Sequence, residues 1–449
     1  MTMFNKLEKR SFVVVCMSAA VFSSSLLINL ALGHYSGYFR ILLIMVINLW
    51  TLSILSKIRG KYPKKKLIDH GLLTILLCIG AMFISSSLFG EAPLIATIYS
   101  AIPYISFYCV SYLLLVISHD RQLFKRLLVF LIILCILLSL GVFYDSTIGL
   151  INTPILGQKF ASILNDISTV DATGSRRGAF FFGSATSVFP FLATGTLSCI
   201  LLKRKFDTRK GELLILGSIF VIWLGCFFSF SRAPIVLGTI FSFYAFFEVY
   251  FIADKKRLFK LSNQKIVSSI ILVIIICFLS VNYAEKLAES AGEYQIQRLS
   301  ETLSVNDRGN SHRFVVWSEG LQQFEKPEAW LGKGLGESNL RMKKQYGYQG
   351  QPQYESSLLF TFAEGGILGL LARLVPMLVV FLATRSTKLA LTSYMWILMI
   401  FCNLFASPLI NGHAVQFAYF LGMSLLVSMS SDEFEKAKSI QGRRISLSS

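Results

Sequence analysis

Five polar side chains of this sequence have the types needed to transfer a group from an anionic donor. They are four arginines, Arg177, Arg232, Arg313 and Arg341, and one carboxylate, Glu355. Guanidinium groups match phosphate oxygens in bidentate geometry and stabilise the charge that develops on a leaving diphosphate. A carboxylate can deprotonate an attacking hydroxyl. Together these residue types indicate transfer of a group away from a diphosphate.

Two glutamates, Glu355 and Glu364, lie nine residues apart where a long polar segment meets an apolar helix. Glu355 is either an acidic residue favoured by the dipole of a first helical turn or a general base. Glu364 lies about two and a half turns deeper, where a carboxylate is costly to bury. We interpret Glu364 as a buried polar residue paired to Arg373 or to a neighbouring helix, and keep it as a secondary candidate.

The elements that position these residues are predicted to be membrane helices. Of the 449 residues, 54% are hydrophobic and 15% are charged, and the mean hydropathy is +0.61. A soluble protein of this length carries more charge, so we expect an all-α polytopic membrane protein. Twelve apolar runs are long enough to cross a bilayer as helices. They are Phe12 to Leu32, Tyr38 to Leu55, Leu72 to Leu88, Leu94 to Ile117, Leu127 to Tyr144, Ala185 to Leu202, Leu213 to Phe230, Pro234 to Phe251, Ile266 to Tyr283, Ser356 to Ala383, Leu389 to Ser407 and Ala414 to Met429.

The net charge of +18 is interpreted as an indication of membrane topology, because the basic residues are unevenly distributed between the two sides of the predicted spans. With the N-terminus inside, most of the 43 Lys and Arg fall on the cytoplasmic side, as the positive-inside rule requires. Both termini are therefore predicted to be cytoplasmic, and nucleic acid is not an expected partner. All eight cysteines lie in the predicted spans without metal-ligand spacing, so neither a metal site nor a disulfide framework is expected.

The predicted spans divide the chain into five segments. Residues 1–144 form helices one to five, which carry few polar side chains and are interpreted as scaffold. Residues 145–282 form helices six to nine with a first external loop that ends in arginines, and 283–354 form one large external loop. Residues 355–430 form helices ten to twelve, and 431–449 form a cytoplasmic tail. Loops as long as the large one usually carry function.

Two stretches of the large external loop have recognisable patterns. Ser311 to Phe324 has apolar residues at helical spacing, which predicts an interfacial amphipathic helix. Trp330 to Gly336 is rich in glycine and turns back toward the membrane. Its pattern is weak evidence for a phosphate loop, because it lacks a preceding strand and a Lys-Ser/Thr ending.

The predicted topology puts the candidate residues on the external face. Arg176 and Arg177 end the first external loop, and Arg232 lies in a short turn between two spans. Interfacial arginines also bind lipid headgroups, so that role stays open beside an anion clamp. Because no ATP is available outside the membrane, a diphosphate must arrive attached to a membrane lipid. His413, in the last external turn, ranks behind Glu355 as a base, because a lone loop histidine is usually incidental.

The candidate residues belong to an ordered series of motifs between Gly174 and Leu370. The series is an arginine before a Phe-Gly turn, Ser-Arg-Ala, Arg-x-x-x-Trp, Leu-Gly-x-Gly and Ala-Glu-x-Gly-x-x-Gly, which begin here at Arg177, Ser231, Arg313, Leu331 and Ala363. This order resembles the O-antigen ligase and polymerase superfamily. The resemblance implies a GT-C-like fold, similar to metal-independent, lipid-diphosphate-dependent glycosyltransferases of the periplasmic membrane face.

The resemblance also implies roles for single residues. Arg177 and Arg232 match family arginines and are implied to hold the diphosphate. Arg313 matches the arginine before the loop tryptophan and is implied to orient the loop or contact phosphate. Where family members often have Asn-Pro-Asn after the Phe-Gly turn, this chain has Ser184-Ala185-Thr186. Secondary candidates are Arg176, Arg341, Glu364 and His413.

One departure separates this chain from the ligase branch of the superfamily. Ligases have a His-Asn pair nine residues before the glutamate of Ala-Glu-x-Gly, and this chain has Glu355-Ser356 there. A Glu-Ser pair is more similar to polymerases of O-antigen or other surface polysaccharides, with Glu355 replacing the histidine as base. The resemblance therefore implies a polymerase, with Glu355 as its catalytic residue.

The implied reaction joins a growing glycan from undecaprenyl diphosphate to a nonreducing sugar hydroxyl of another lipid-linked repeat unit, with inversion and without a cofactor. It belongs to lipopolysaccharide or other polysaccharide biosynthesis at the bacterial inner membrane, with the active site on the periplasmic face. Implied partners are the undecaprenyl-diphosphate-linked oligosaccharide and membrane lipids, with a chain-length regulator and a flippase as further candidates.

Three alternatives remain open. The first is an O-antigen ligase that transfers glycan to the lipid A core. The second is a lipid-linked oligosaccharide flippase, which predicts internal repeats and charges lining several helices at mid-membrane. Here the charges crowd one face, and no repeat is evident. The third is a non-catalytic scaffold of an export complex.

Overall fold

The computed structural model describes residues 2–24, 36–55, 65–90, 93–147, 188–206, 211–229, 231–252, 328–336, 356–406 and 415–430. Every regular element within these ranges is a helix. The helices are α1 (Thr2–Ser23), α2 (Ser36–Leu55), α3 (Lys65–Phe89), α4 (Leu94–His119), α5 (Arg121–Thr147), α6 (Val188–Lys205), α7 (Glu212–Phe227), α8 (Arg232–Phe247) with a following π-helical turn (Glu248–Ile252), the short α9 (Glu328–Leu331), α10 (Ser357–Thr384), α11 (Ala390–Ala406) and α12 (Val415–Ser430).

Four of these helices contain stretches that are long and apolar enough to cross a membrane. The stretches are Lys66–Leu88, Arg121–Ser146, Ala233–Tyr250 and Ser357–Thr384. A helix satisfies every backbone hydrogen bond internally, which is what an apolar run in lipid requires. The prediction of an all-α polytopic membrane protein is confirmed. The number of spans and their orientation stay predictions, and the ninth predicted span, Ile266 to Tyr283, lies outside the described residues.

The chain divides into two compact units. The first consists of Met1–Phe22, Leu32–Leu127 and Ser311–Ser449, and the second of Ser23–Ala31 and Leu128–Asn310. In the first unit α10 packs most extensively on α3, and α4 packs on α2 and α3. The core of this unit is aromatic, with Tyr108, Tyr112 and Trp396 almost fully buried. The packing of α10 on α3 is what positions the candidate site.

The second unit is built from the remainder of α5 and from α6, α7 and α8. These helices approach each other closely at glycines. A Cβ at Gly195 would lie 2.5 Å from the Cβ of Cys135, and one at Gly238 would lie 2.6 Å from the Cβ of Cys226, so neither position has room for a side chain. Small residues allow membrane helices to pack backbone against backbone. The unit therefore depends on van der Waals contact along these helices.

Candidate functional site

The helix that carries the Ala-Glu-x-Gly-x-x-Gly motif, α10, is broken at Gly366. The backbone of Gly366 has φ 56° and ψ −148°, a combination that is essentially restricted to glycine. In a continuous helix the carbonyls of Ala363 and Glu364 accept hydrogen bonds from residues four positions later. The break releases these carbonyls inside an apolar element, where they require other partners.

The glycine-rich stretch Leu331–Gly336, called here the glycine loop, supplies those partners. The N–H of Lys333 donates to the carbonyl of Ala363 at 2.9 Å, and the N–H of Gly334 donates to the carbonyl of Glu364 at 3.0 Å. The N–H of Gly336 donates to the Glu364 carboxylate at 3.0 Å. Because these N–H groups are used by α10, they are not available to bind a phosphate. The glycine loop is an anchor for α10 and not a phosphate loop.

Glycine is required at this contact for steric reasons. The three glycines of the loop have positive φ, between 72° and 111°. A Cβ at Gly332 would lie 2.4 Å from the carbonyl carbon and oxygen of Glu364, and a Cβ at Gly366 would lie 2.5 Å from the carbonyl carbon of Trp330. Backbone therefore packs directly on backbone, with no room for a side chain on either partner.

Two serines of α3 hold the other side of the glycine loop. The hydroxyl of Ser85 donates to the carbonyl of Gly332 at 3.0 Å, and the hydroxyl of Ser86 accepts from the N–H of Leu335 at 2.8 Å. Ser86 also donates to the carbonyl of Met82 in its own helix at 2.9 Å. The interpretation of the first five spans as scaffold missed this contact, and the run of three serines at 85–87 was the available indication.

Glu364 is buried, with 4% of its surface exposed. The sequence predicts that Glu364 is buried and paired to Arg373 or to a neighbouring helix, and its burial is observed. Its carboxylate accepts a hydrogen bond from the Gly336 backbone N–H, and the pairing itself stays a prediction. The Arg373 guanidinium carbon lies 4.7 Å from the centroid of the Tyr104 ring. Within the described part of the chain, Nε of Arg373 has no hydrogen-bond partner. The face of the Tyr104 ring is therefore a favourable contact of the buried Arg373 guanidinium.

Arg232 is the first residue of α8, and its backbone is described but its side chain is not. The preceding Ser231 is extended, with φ −111° and ψ 132°, and its carbonyl accepts from the N–H of Ile235 at 3.1 Å. Its N–H donates to the hydroxyl of Ser229 at 3.3 Å. Pro234 lies within the first turn, where its missing N–H costs nothing. Arg232 therefore begins helix α8 in the second compact unit, whereas Glu364 lies in the first compact unit.

The other candidate residues lie outside the described residues. These are Arg176, Arg177, Arg313, Arg341, Glu355 and His413, together with the predicted interfacial helix at Ser311 to Phe324. The structure therefore brings together two sequence motifs, the glycine loop and the Ala-Glu-x-Gly-x-x-Gly segment. Among the described residues there is no group of three or more His, Cys, Asp or Glu that could hold a metal ion.

Residues 217–374 match a family model described as O-Antigen ligase. The matched region contains Arg232, the glycine loop and the break in α10, so the geometry described above lies within it. No curated protein and no solved structure matches the chain significantly.

Proposed function

We propose that this chain, whose residues 217–374 match the O-Antigen ligase family model, belongs to the O-antigen ligase and polymerase superfamily and is a polysaccharide polymerase of the bacterial inner membrane. It transfers a growing glycan from undecaprenyl diphosphate to the nonreducing end of another lipid-linked repeat unit. The observation that carries the proposal is the Glu355-Ser356 pair at the start of α10. Ser356 is the N-cap of that helix, so Glu355 directly precedes it, where ligases of the family have a histidine.

The proposed reaction is a single displacement at the anomeric carbon of the donor. Glu355 takes the proton from the acceptor hydroxyl, and the hydroxyl oxygen forms the new glycosidic bond. The bond between the anomeric carbon and the diphosphate oxygen breaks, and the electron pair leaves with undecaprenyl diphosphate. Arg177 and Arg232 stabilise the charge on this leaving group, and Arg313 orients the loop or contacts phosphate. No metal ion is needed in this scheme.

The anchoring of the glycine loop supports this assignment. In the chain, the glycine loop lies between the Arg313 motif and Glu355. Three of its backbone N–H groups donate hydrogen bonds to α10, which tie this part of the large loop to the helix that follows the proposed base in the chain. A base and its substrate must be held in a defined geometry for proton transfer. In the proposed enzyme, the contact between the glycine loop and the Ala-Glu-x-Gly-x-x-Gly segment holds the large loop at the helix that follows the base.

A second candidate function is ligation of the glycan to the lipid A core. The description of the matching family as O-Antigen ligase favours it, and the absence of the His-Asn pair from this sequence counts against it. A flippase for lipid-linked oligosaccharides remains a third candidate. A chain-length regulator and a flippase are the proposed protein partners of the polymerase.

Gel profiles of surface polysaccharide test the proposal. A strain deleted for this gene is complemented with wild type, Glu355→Gln or Arg232→Ala at matched protein levels. Polymerase chemistry predicts a core capped by a single repeat unit in the deletion strain and in both variants. An uncapped core in the deletion strain would point instead to ligation or translocation. A normal ladder from both variants would remove the proposed site residues.

A further inference from the structure

Ser356 occupies the N-cap position of α10 without capping the helix. Its backbone is extended, with φ −140° and ψ 126°, and its carbonyl accepts the first helical hydrogen bond, from the N–H of Phe360 at 3.0 Å. A serine at this position normally accepts a hydrogen bond from an N–H of the first turn through its hydroxyl. The Ser356 side chain makes no such bond.

The Ser356 hydroxyl is also buried without a partner. The residue is 1% exposed, and within the described part of the chain its Oγ has no hydrogen-bond partner. The next residue, Ser357, is also 1% exposed but has polar contacts of its own. A buried hydroxyl without a partner destabilises a fold, and such costs are typically retained where a group has a function. The hydroxyl of Ser356 therefore has an unused capacity to donate and accept hydrogen bonds.

We propose that Ser356 Oγ binds the acceptor sugar, through a hydrogen bond to a hydroxyl that neighbours the attacking one. The inference rests on the proposed function, in which Glu355, the residue directly before Ser356, is the base. A serine hydroxyl both donates and accepts hydrogen bonds, as a sugar hydroxyl does, and it carries no charge to offset a diphosphate. Ser356 is thus a positioning residue for the acceptor.

The geometry of displacement favours the acceptor over the donor diphosphate as the ligand. In an inverting displacement the attacking hydroxyl and the leaving diphosphate lie on opposite sides of the anomeric carbon. The base must lie within hydrogen-bond reach of the attacking hydroxyl. Because Ser356 directly follows the proposed base in the chain, we assign its ligand to the acceptor and not to the leaving group.

The test measures polymerisation by the purified full-length protein in lipid nanodiscs, with donor and acceptor varied separately. The donor is a lipid-linked glycan whose nonreducing end is chemically blocked, and the acceptor is a lipid-linked repeat unit with a free terminal hydroxyl. Wild type is compared with Ser356→Ala, Ser356→Thr and, as a matched control, Ser357→Ala. Thermal unfolding is recorded for each protein.

For Ser356→Ala we expect KM for the acceptor to rise about tenfold, the effect of one hydrogen bond, with KM for the donor unchanged. The melting temperature stays the same or rises, because no cap is lost and an unpaired hydroxyl is removed. Ser356→Thr retains the hydroxyl and recovers part of the acceptor affinity, whereas Ser357→Ala leaves both KM values unchanged.

Three results would overturn the inference. Unchanged acceptor KM in Ser356→Ala would show that the hydroxyl does not bind the acceptor. A rise in donor KM alone would assign Ser356 to the diphosphate. A loss of activity that parallels a fall in melting temperature would make the role structural. A wild-type protein that forms no polymer from these substrates would instead overturn the proposed function, and the inference with it.

Discussion

The carboxylate of Glu364 accepts a hydrogen bond from the backbone N–H of Gly336, at 3.0 Å. The backbone carbonyl of the same glutamate accepts a second bond from Gly334. A single residue of α10 therefore holds two residues of the glycine loop, with its side chain and its main chain acting together. In both bonds the glutamate is the acceptor, and the amide oxygen of a glutamine can accept the same bond from Gly336.

Replacing Glu364 with Gln or Ala tests this acceptor role. The amide oxygen of Gln can accept from Gly336, so we expect Glu364→Gln to retain most of the stability and the polysaccharide ladder. Glu364→Ala loses the bond and leaves the buried Gly336 N–H unpaired, which costs about 1–3 kcal/mol. Thermal unfolding and gel profiles of the two variants provide the measurement. Glu355→Gln is the control, expected to be as stable as wild type but inactive. Loss of the ladder in Glu364→Gln at full stability would indicate proton transfer at Glu364.

Alanine substitutions of Gly332 and Gly366 test the backbone contact between the glycine loop and α10. Each adds a Cβ about one ångström too close to a backbone atom of the other partner, at a positive φ that alanine rarely adopts. We expect each to destabilise the protein by at least about 1–3 kcal/mol. The control is Gly80→Ala in α3, where a Cβ meets no atom within 4 Å. A helical alanine is favoured there by up to about 1 kcal/mol. Equal stability of all three variants in thermal unfolding would contradict the described contact.

The fold class follows from composition alone, but the site does not. Long apolar runs require helices in a bilayer whatever their neighbours are, and the predicted span Leu213 to Phe230 corresponds to α7 at Glu212–Phe227. The glycine loop and Glu364 each stood out in the sequence. Their contact depends on the break at Gly366, which releases two carbonyls of α10. These carbonyls are paired because the glycine loop donates hydrogen bonds to them. The role of Ser85 was not predicted, because a serine in a membrane span usually bonds within its own helix, and the run of three serines at 85–87 was a weak indication of the contact.

The contact between Arg373 and Tyr104 predicts that the aromatic ring, and not the tyrosine hydroxyl, stabilises the buried guanidinium. A cation over an aromatic face contributes about 0.5–2 kcal/mol, more when the pair is removed from water. We therefore expect Tyr104→Leu to lower the free energy of unfolding by about this amount beyond Tyr104→Phe. The comparison is repeated with Arg373→Met in the background. If the difference between Leu and Phe persists there, the ring acts through packing and not through the arginine.

The second unit contains a buried ion pair between Arg204 at the end of α6 and Glu248 in the π-helical turn. Glu248 is fully buried, and its carboxylate also accepts from the hydroxyl of Tyr244 at 3.4 Å. Removing one partner of such a pair leaves an uncompensated charge and costs about 3–5 kcal/mol. We therefore expect Glu248→Leu and Arg204→Met each to lower the free energy of unfolding strongly.

The double variant Arg204→Met with Glu248→Leu is expected to be more stable than either single variant, because it buries no unpaired charge. Replacing a buried ion pair with apolar residues of similar volume is often neutral or stabilising. Denaturant unfolding of the four proteins gives the coupling energy between the two positions. Strictly additive losses would mean that the two side chains do not compensate each other. A coupling energy of more than about 1 kcal/mol would show that the ion pair stabilises the contact between α6 and the π-helical turn, because each buried charge requires the other.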